Sequence, residues 1–154
     1  MIQKTTAWIK EHGNEFGPII LRLGICVVFL WFGINQIVRP ADYIGYLPSF
    51  LLENQNPSGM PMMMQVFSAP SYLNYLIIAN GGFEVIFVIL LLVGFWTRLA
   101  AFILGVHLFL ITGHLGIEGG LNDTVLRDLG LSLATMAITF FGADKWCWDK
   151  RKKA

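Results

Sequence analysis

The chain has 154 residues, of which 55% are hydrophobic and only 14% charged, with 11 Lys and Arg against 10 Asp and Glu. A soluble domain carries roughly a quarter charged residues, so this composition, with a mean hydropathy of +0.61, predicts an all-α membrane protein surrounded by membrane lipids. A formal net charge of +1 excludes nucleic acid as an electrostatic partner.

Met1 to Gly17 is mostly polar and mixes both charges. The apolar run behind it is too long for a signal-peptide core and no small-residue cleavage site follows, so residues 1–17 are expected to remain as a cytoplasmic N-terminal segment. The first span runs from Pro18, which suits a first helical turn, to Val38, where Arg39-Pro40 ends it. An outer loop covers residues 40–70. Within it Tyr43, Ile44, Leu47, Phe50 and Leu51 keep helical spacing, which predicts a short interfacial helix bent at Pro48. Met60-Pro-Met-Met-Met64 follows. Thioethers bind Cu(I), but no His or Cys accompanies them, so the stretch reads as a flexible apolar lid.

The second span covers about 72–96, opened by Ala69-Pro70-Ser71. Gly94 to Arg98 leaves room only for a tight turn, so the third span, about 97–115, is expected beside the second and antiparallel to it. Gly116 and Gly119-Gly120 terminate it. The fourth covers 125–143, with Asn122 or Asp123 as its N-cap, and a basic tail occupies 144–154. Each span has about the length that a 30 Å hydrocarbon core requires. The expected architecture is therefore a four-transmembrane-helix antiparallel bundle over residues 18–143. Lys4, Lys10, Arg98, Lys145 and Lys150-Arg-Lys-Lys153 fall on one side of it, which puts both termini in the cytoplasm and the basic tail against anionic lipid. Trp8, Trp96, Trp146 and Trp148 would form the aromatic belt on that side.

All four spans carry a stripe of polar, small or ionisable residues at alternating steps of four and three. The stripes run Arg22, Cys26, Phe29, Gly33, Gln36; Asn80, Glu84, Phe87, Leu91, Gly94; Ala100, Leu104, His107, Ile111, His114; and Asp128, Ser132, Thr135, Thr139, Gly142. That spacing is the seam of a left-handed bundle, and it turns these residues away from lipid. Cys26 and Cys147 have no CxxC partner and no metal-ligand spacing, so both read as inert small hydrophobes and no metal site is expected.

Glu84 and His107 are the sharpest candidate pair. Glu84 lies about 17 Å from the outer end of its span and His107 about 12 Å from the outer end of its own. Side chains lean toward a helix's N-terminus, so in antiparallel neighbours the two lean toward one level. Such a pair can pass a proton or hold a ligand; it can equally be a structural clamp between two helices. Asn80 stands one turn from Glu84 on the same face, where it orients the carboxylate, binds a carbonyl or simply ties two helices. Phe29 and Phe87 share these seams. His114, Gln36, Asp128 and Arg127 lie near the outer boundary as a polar mouth or a solvated rim. Arg22 sits in the cytoplasmic half of the first span, positioned to snorkel or to reach Glu84. His107 and His114 lie two turns apart on one helix and cannot clamp opposite faces of one haem.

Leu21-Arg22-Leu23-Gly24 followed by Phe29-Leu-Trp-Phe-Gly33 resembles the first helix of the DoxX family of small membrane proteins. Gly82-Phe-Glu84 with Leu90-Leu-Leu-Val-Gly94-Phe-Trp-Thr-Arg98-Leu-Ala is similar to that family's second helix and tight turn. Arg127-Asp128-Leu, with Phe140-Phe-Gly142-Ala-Asp, is similar to its last helix and exit. The resemblance spans about Gly17 to Trp148. It implies a four-helix bundle in a bacterial or archaeal cell membrane and a link to redox systems, including the membrane subunit of thiosulfate:quinone oxidoreductase; other relatives resemble accessory subunits or biogenesis factors. The chain departs from the family at Gln36, where members often have lysine, and in the 40–70 loop, which has no family motif.

Three functions follow as expectations. One is a quinone-associated redox subunit with Glu84 exchanging protons and His107 holding a quinone oxygen; without a flavin, Fe–S or haem motif, its electrons come from a partner subunit. The second is a non-catalytic accessory subunit of a larger membrane complex, with Gly24, Gly105 and Gly130 free to accept another helix. The third is a small proton or solute pathway.

Overall fold

The computed structural model describes residues 2–53, 70–144 and 146–151. These residues form helices α1 (Ile2–Val38), α2 (Ser49–Glu53), α3 (Pro70–Val93), α4 (Thr97–Gly119), α5 (Asp123–Phe141) and α6 (Trp148–Arg151), with a 3₁₀ helix over Pro40–Tyr46. Four segments are long and apolar enough to cross a membrane: Phe16–Val38, Tyr72–Val93, Thr97–Gly119 and Asp123–Phe141. The methionine stretch 60–64 and Lys145, Lys152 and Lys153 lie outside the described residues.

Three features differ from the sequence reading. The third span's helix does not stop at Leu115; it runs through Gly116 to Gly119, and Gly120, at φ +71°, ends it. The first helix does not begin at Pro18; it begins at Ile2 and carries Pro18 in its interior. A proline there forfeits one backbone bond and crowds the preceding turn, a local cost that a 37-residue helix absorbs. The loop helix is two pieces rather than one. Leu47, next to Pro48, is extended at φ −79° and ψ 147°, the conformation that a following proline favours. At the start of α5 the N-cap is Asn122, whose side-chain oxygen accepts from the Val125 amide at 3.0 Å.

Helix α4 packs along α5 and α1 along α3, and the two pairs meet through α3–α4 and α1–α5. No seam residue is exposed; each is buried or half-buried. Ile25, Cys26, Phe29, Val88, Leu91, Ala100, Ala101, Leu104 and Ile138 form the apolar centre. Outward faces carry Val27, Trp31, Leu110 and Phe140, each more than 60% exposed, the pattern of a protein whose outer solvent is hydrocarbon. Gly105 is not a free landing strip for another helix: a Cβ there would meet Met136 of α5 at 2.7 Å, whereas Gly24 and Gly130 face open space.

Helices α1 and α3 approach closely at a pair of glycines. A Cβ on Gly81 would sit 2.6 Å from the Gly33 carbonyl oxygen, and one on Gly33 would sit 3.0 Å from the Gly81 oxygen. Two facing glycines let the backbones touch, and they set the spacing at which residues one turn away can hydrogen-bond.

The chain after α5 folds back onto the α3–α4 turn. Gly94 takes φ +76°, and Cys147 packs so close that any side chain at 94 would strike its backbone. Cys147 is fully buried, and burial pushes its thiol up. Asp149 caps α4 by accepting from the Trp96 amide at 3.0 Å and the Thr97 amide at 2.9 Å. Asp149→Ala is expected to cost about 1 kcal/mol, the usual worth of such a cap. Hydrogen exchange at the Trp96 and Thr97 amides should speed up while the α5 interior stays unchanged; unchanged exchange at 96 and 97 would contradict the capping role.

Candidate functional site

A buried amide–carboxylate network joins α1 to α3. Gln36 donates through Nε2 to Glu84 Oε2 at 3.1 Å. Asn80 donates through Nδ2 to Gln36 Oε1 at 2.7 Å and to Glu84 Oε1 at 3.2 Å. Glu84 is only 3% exposed. Two amides pointing hydrogens at one carboxyl is the arrangement that stabilises a buried carboxylate. The helical spacing of Asn80 and Glu84 puts both on one face of α3, and the Gly33–Gly81 contact brings α1 close enough for Gln36 to reach them.

His107 approaches from α4. Its Nε2 lies 3.7 Å from Glu84 Oε1, beyond hydrogen-bond length, and that nitrogen is buried with no partner among the described residues. Its ring packs against that of Phe83 at a centroid distance of 4.7 Å, the planes tilted by 50°. A small movement would therefore make or break a Glu84–His107 bond.

The network forms one wall of a cavity of about 440 Å³. Phe29, Phe32, Leu76, Ile77, Leu108, Ile111 and Leu131 make its apolar walls, and Tyr43, Tyr46, Leu47 and Pro48 of the loop lie across it. Gln36, Asn80, Glu84, His114 and Asp128 are its polar members besides the two tyrosines. Burial first, then Tyr46, Asp42 and Glu84, push the Tyr43 phenol above its ordinary range, so it stays protonated and able to donate. Asp128 takes Arg127 Nε on Oδ1 at 2.8 Å, and the Arg127 guanidinium lies 5.4 Å above the Phe32 ring.

Of the residues singled out in the sequence, Phe29, Gln36, Asn80, Glu84, His114 and Asp128 line this cavity. His107 stands behind Glu84 and not in the lining. Phe87 is not in the lining either; it packs against the apolar centre, with its ring 4.6 Å from that of Phe83. Arg127 stands beside the cavity through its pair with Asp128. Arg22 does not reach Glu84. It is locked elsewhere, donating from Nε to Asp144 Oδ2 at 2.9 Å and from Nη1 to the carbonyls of Leu91 and Leu92 at 2.9 and 2.8 Å.

Tyr43 and Tyr46, as cavity residues, and Asp144 were not among the site residues expected from sequence. A buried arginine in the first span did demand a carboxylate at its own level, and Asp144, just past the fourth span, was available. The strap at the other end was also missed: Ser49 donates from Oγ to Glu118 Oε1 at 2.7 Å, and Glu118 Oε2 lies 3.3 Å from His114 Nε2. This ties the start of α2 to the end of α4. Among the described residues no three His, Cys, Asp or Glu side chains are grouped to hold a metal ion.

Fold and site together define a four-span membrane bundle around a cavity with apolar walls and polar groups contributed by α1, α3, α4, α5 and the 3₁₀ helix. The family model named DoxX matches residues 17–115, well over half of the chain, and the chain belongs to the DoxX family. The matched stretch holds Gln36, Asn80, Glu84 and His107 and stops before Asp128. No curated protein and no solved structure matches the chain.

Proposed function

We propose that this protein is a quinone-associated subunit of a membrane redox system, with the ring of the quinone seated in the 440 Å³ cavity. The observation that carries the reading is a carboxylate, held by two amides and faced by an unpartnered imidazole, in the wall of a largely apolar, aromatic-lined space. Ligand sites for small apolar molecules have this composition, with few polar groups fixing orientation. Phe29 and Phe32 offer ring faces, Glu84 exchanges protons, and Gln36 and Asn80 position its carboxylate. His107, one short step behind Glu84, is the group to which a proton can be passed on. A quinone supplies two-electron redox chemistry when bound, and its electrons are exchanged with a partner subunit.

The same reading sets the protein in the membrane as an antiparallel bundle with both termini cytoplasmic. The placement of Arg22 near Leu91 and of Gln36 near Glu84 supports opposed directions for α1 and α3. The lysine and arginine bias supports the orientation. The 3₁₀ helix and α2 then lie at the outer interface as the cavity's cover.

Glu84→Gln is the direct test. Removing a charged acceptor costs about 1.5–3 kcal/mol, so the variant should retain roughly tenfold less extractable quinone plus hydroquinone after purification in mild detergent. Wild-type protein that carries none, together with undiminished quinone turnover in membranes bearing Glu84→Gln, would remove this reading.

A second reading, an accessory subunit without its own ligand chemistry, is favoured by the open faces at Gly24 and Gly130, where another helix could approach closely. Purification from native membranes separates the two, since a chain that runs alone with bound quinone fits only the first.

A further inference from the structure

The cavity's hydrogen-bonding balance carries information about the redox state of what it holds. Both hydrogens of Asn80 Nδ2 are committed, one to Gln36 Oε1 and one to Glu84 Oε1, and one hydrogen of Gln36 Nε2 is committed to Glu84 Oε2. The orientation of the two amides is fixed by their common partner: a carboxylate only accepts, so each turns its nitrogen to it. On the opposite side Asp128 offers Oδ2, because Arg127 occupies Oδ1. His114 also lines the space; its Nε2 lies 3.3 Å from Glu118 Oε2 but makes no hydrogen bond among the described residues, so its ring is not committed to Glu118. Neither lysine nor arginine lines the space, whereas two carboxyl groups do. The donors left over are one Gln36 hydrogen, one N–H of the His114 ring and two tyrosine hydroxyls, and a hydroxyl also accepts; all are neutral groups, set against two carboxyl groups.

Resting on the quinone reading above, we infer that the cavity selects the hydroquinone over the quinone. A hydroquinone brings two O–H donors to a site rich in anionic acceptors, and an O–H to carboxylate bond is among the strong, charge-assisted ones. A quinone brings two carbonyl oxygens that only accept, and it leaves the carboxylate lone pairs of Glu84 and Asp128 facing further negative partial charge. The bound pair is consequently easier to reduce than the free pair.

The test uses full-length protein in detergent micelles and three probes of one shape: a decyl-chain benzohydroquinone kept reduced, its quinone, and its di-O-methyl ether, which has no donor hydrogen. Equilibrium binding is read by the quenching of intrinsic fluorescence and by the rise in thermal midpoint. The hydroquinone should bind at least tenfold more tightly than either of the others, and a tenfold ratio moves the midpoint potential of the bound pair upward by about 30 mV. In Glu84→Gln or Asp128→Asn protein that still melts cooperatively, the preference should narrow to within about threefold in at least one of the two. A quinone that binds as tightly as the hydroquinone, an ether that does so, or a preference untouched by both substitutions overturns the inference and leaves the quinone reading standing. Failure of all three probes to bind overturns both.

Discussion

Asp144→Ala is expected to destabilise the folded protein by about 3–5 kcal/mol, the usual cost of leaving one member of a buried ion pair without its partner. Arg22 and Asp144 are 3% and 7% exposed, and the guanidinium is held between the carboxylate and the last carbonyls of α3. Those carbonyls belong to the final turn of a helix; that of Leu91 also accepts from the Gly94 amide at 3.2 Å, while that of Leu92 has no intrahelical donor, so Arg22 serves at once as ion-pair partner and as C-terminal cap. Asp144 in turn accepts from the Trp146 amide at 2.8 Å, which fixes the chain as it leaves α5. The measurement is the thermal midpoint in detergent together with the yield of folded protein from membranes. Replacing both partners, as Arg22→Met with Asp144→Leu, should recover most of the loss, because no lone charge is then buried; the Leu92 carbonyl still forfeits its donor. Equal stability of Asp144→Ala and wild type would show that the pair holds nothing together.

The second large effect is expected at Gly81. A methyl group there would stand 2.6 Å from the Gly33 carbonyl oxygen, 2.8 Å from Gln36 Cβ and 3.2 Å from Ile37 Cγ1. Backbone cannot swing aside as a side-chain tip can, so Gly81→Ala must push α1 and α3 apart at a cost of about 1–3 kcal/mol. The damage extends beyond stability. Gln36 and Glu84 are 3.1 Å apart across this contact, so the same displacement opens the network, and retained quinone should fall in parallel with the melting temperature. Gly82 is the control: a Cβ there meets nothing within 4 Å, and Gly82→Ala should be neutral or stabilising by about 0.5–1 kcal/mol. If the two substitutions behave alike, the close approach of α1 and α3 is not what positions the site.

How far the sequence reveals the site depends on what kind of information each residue carries. The alternating four-and-three steps are a periodic signal, repeated in four segments, and periodicity reports which face of a helix is hidden from lipid. The seam residues are accordingly all withdrawn from the surface, and Gln36, Glu84 and Asp128, each on a different helix, all line one cavity. A face is not a destination, however. His107 and Phe87 have the right period yet stand outside the lining, because Phe83, which no stripe includes, packs against both rings. The start of α1 could not be read from Pro18, since proline is compatible with a helix start and with a long helix that tolerates one lost bond. Asp144 and Asp149 lie in stretches without period, and their partners are fixed only once the chain has folded back. Tyr43 and Tyr46 belong to the same class: Tyr43 had a place only in a helical spacing and Tyr46 carried no signal, and the cavity beneath them comes from other parts of the chain.

The Arg22–Asp144 lock joins positions 122 residues apart, and this has a bearing on biosynthesis. The first span is made long before its counter-charge, so the early intermediate carries a guanidinium that must stay hydrated at the membrane face until its partner arrives. Closure waits until Asp144 has been made. A chain truncated before position 144 would never acquire the group that lets the arginine settle, which makes the emergence of that one residue a checkpoint for completion of the bundle.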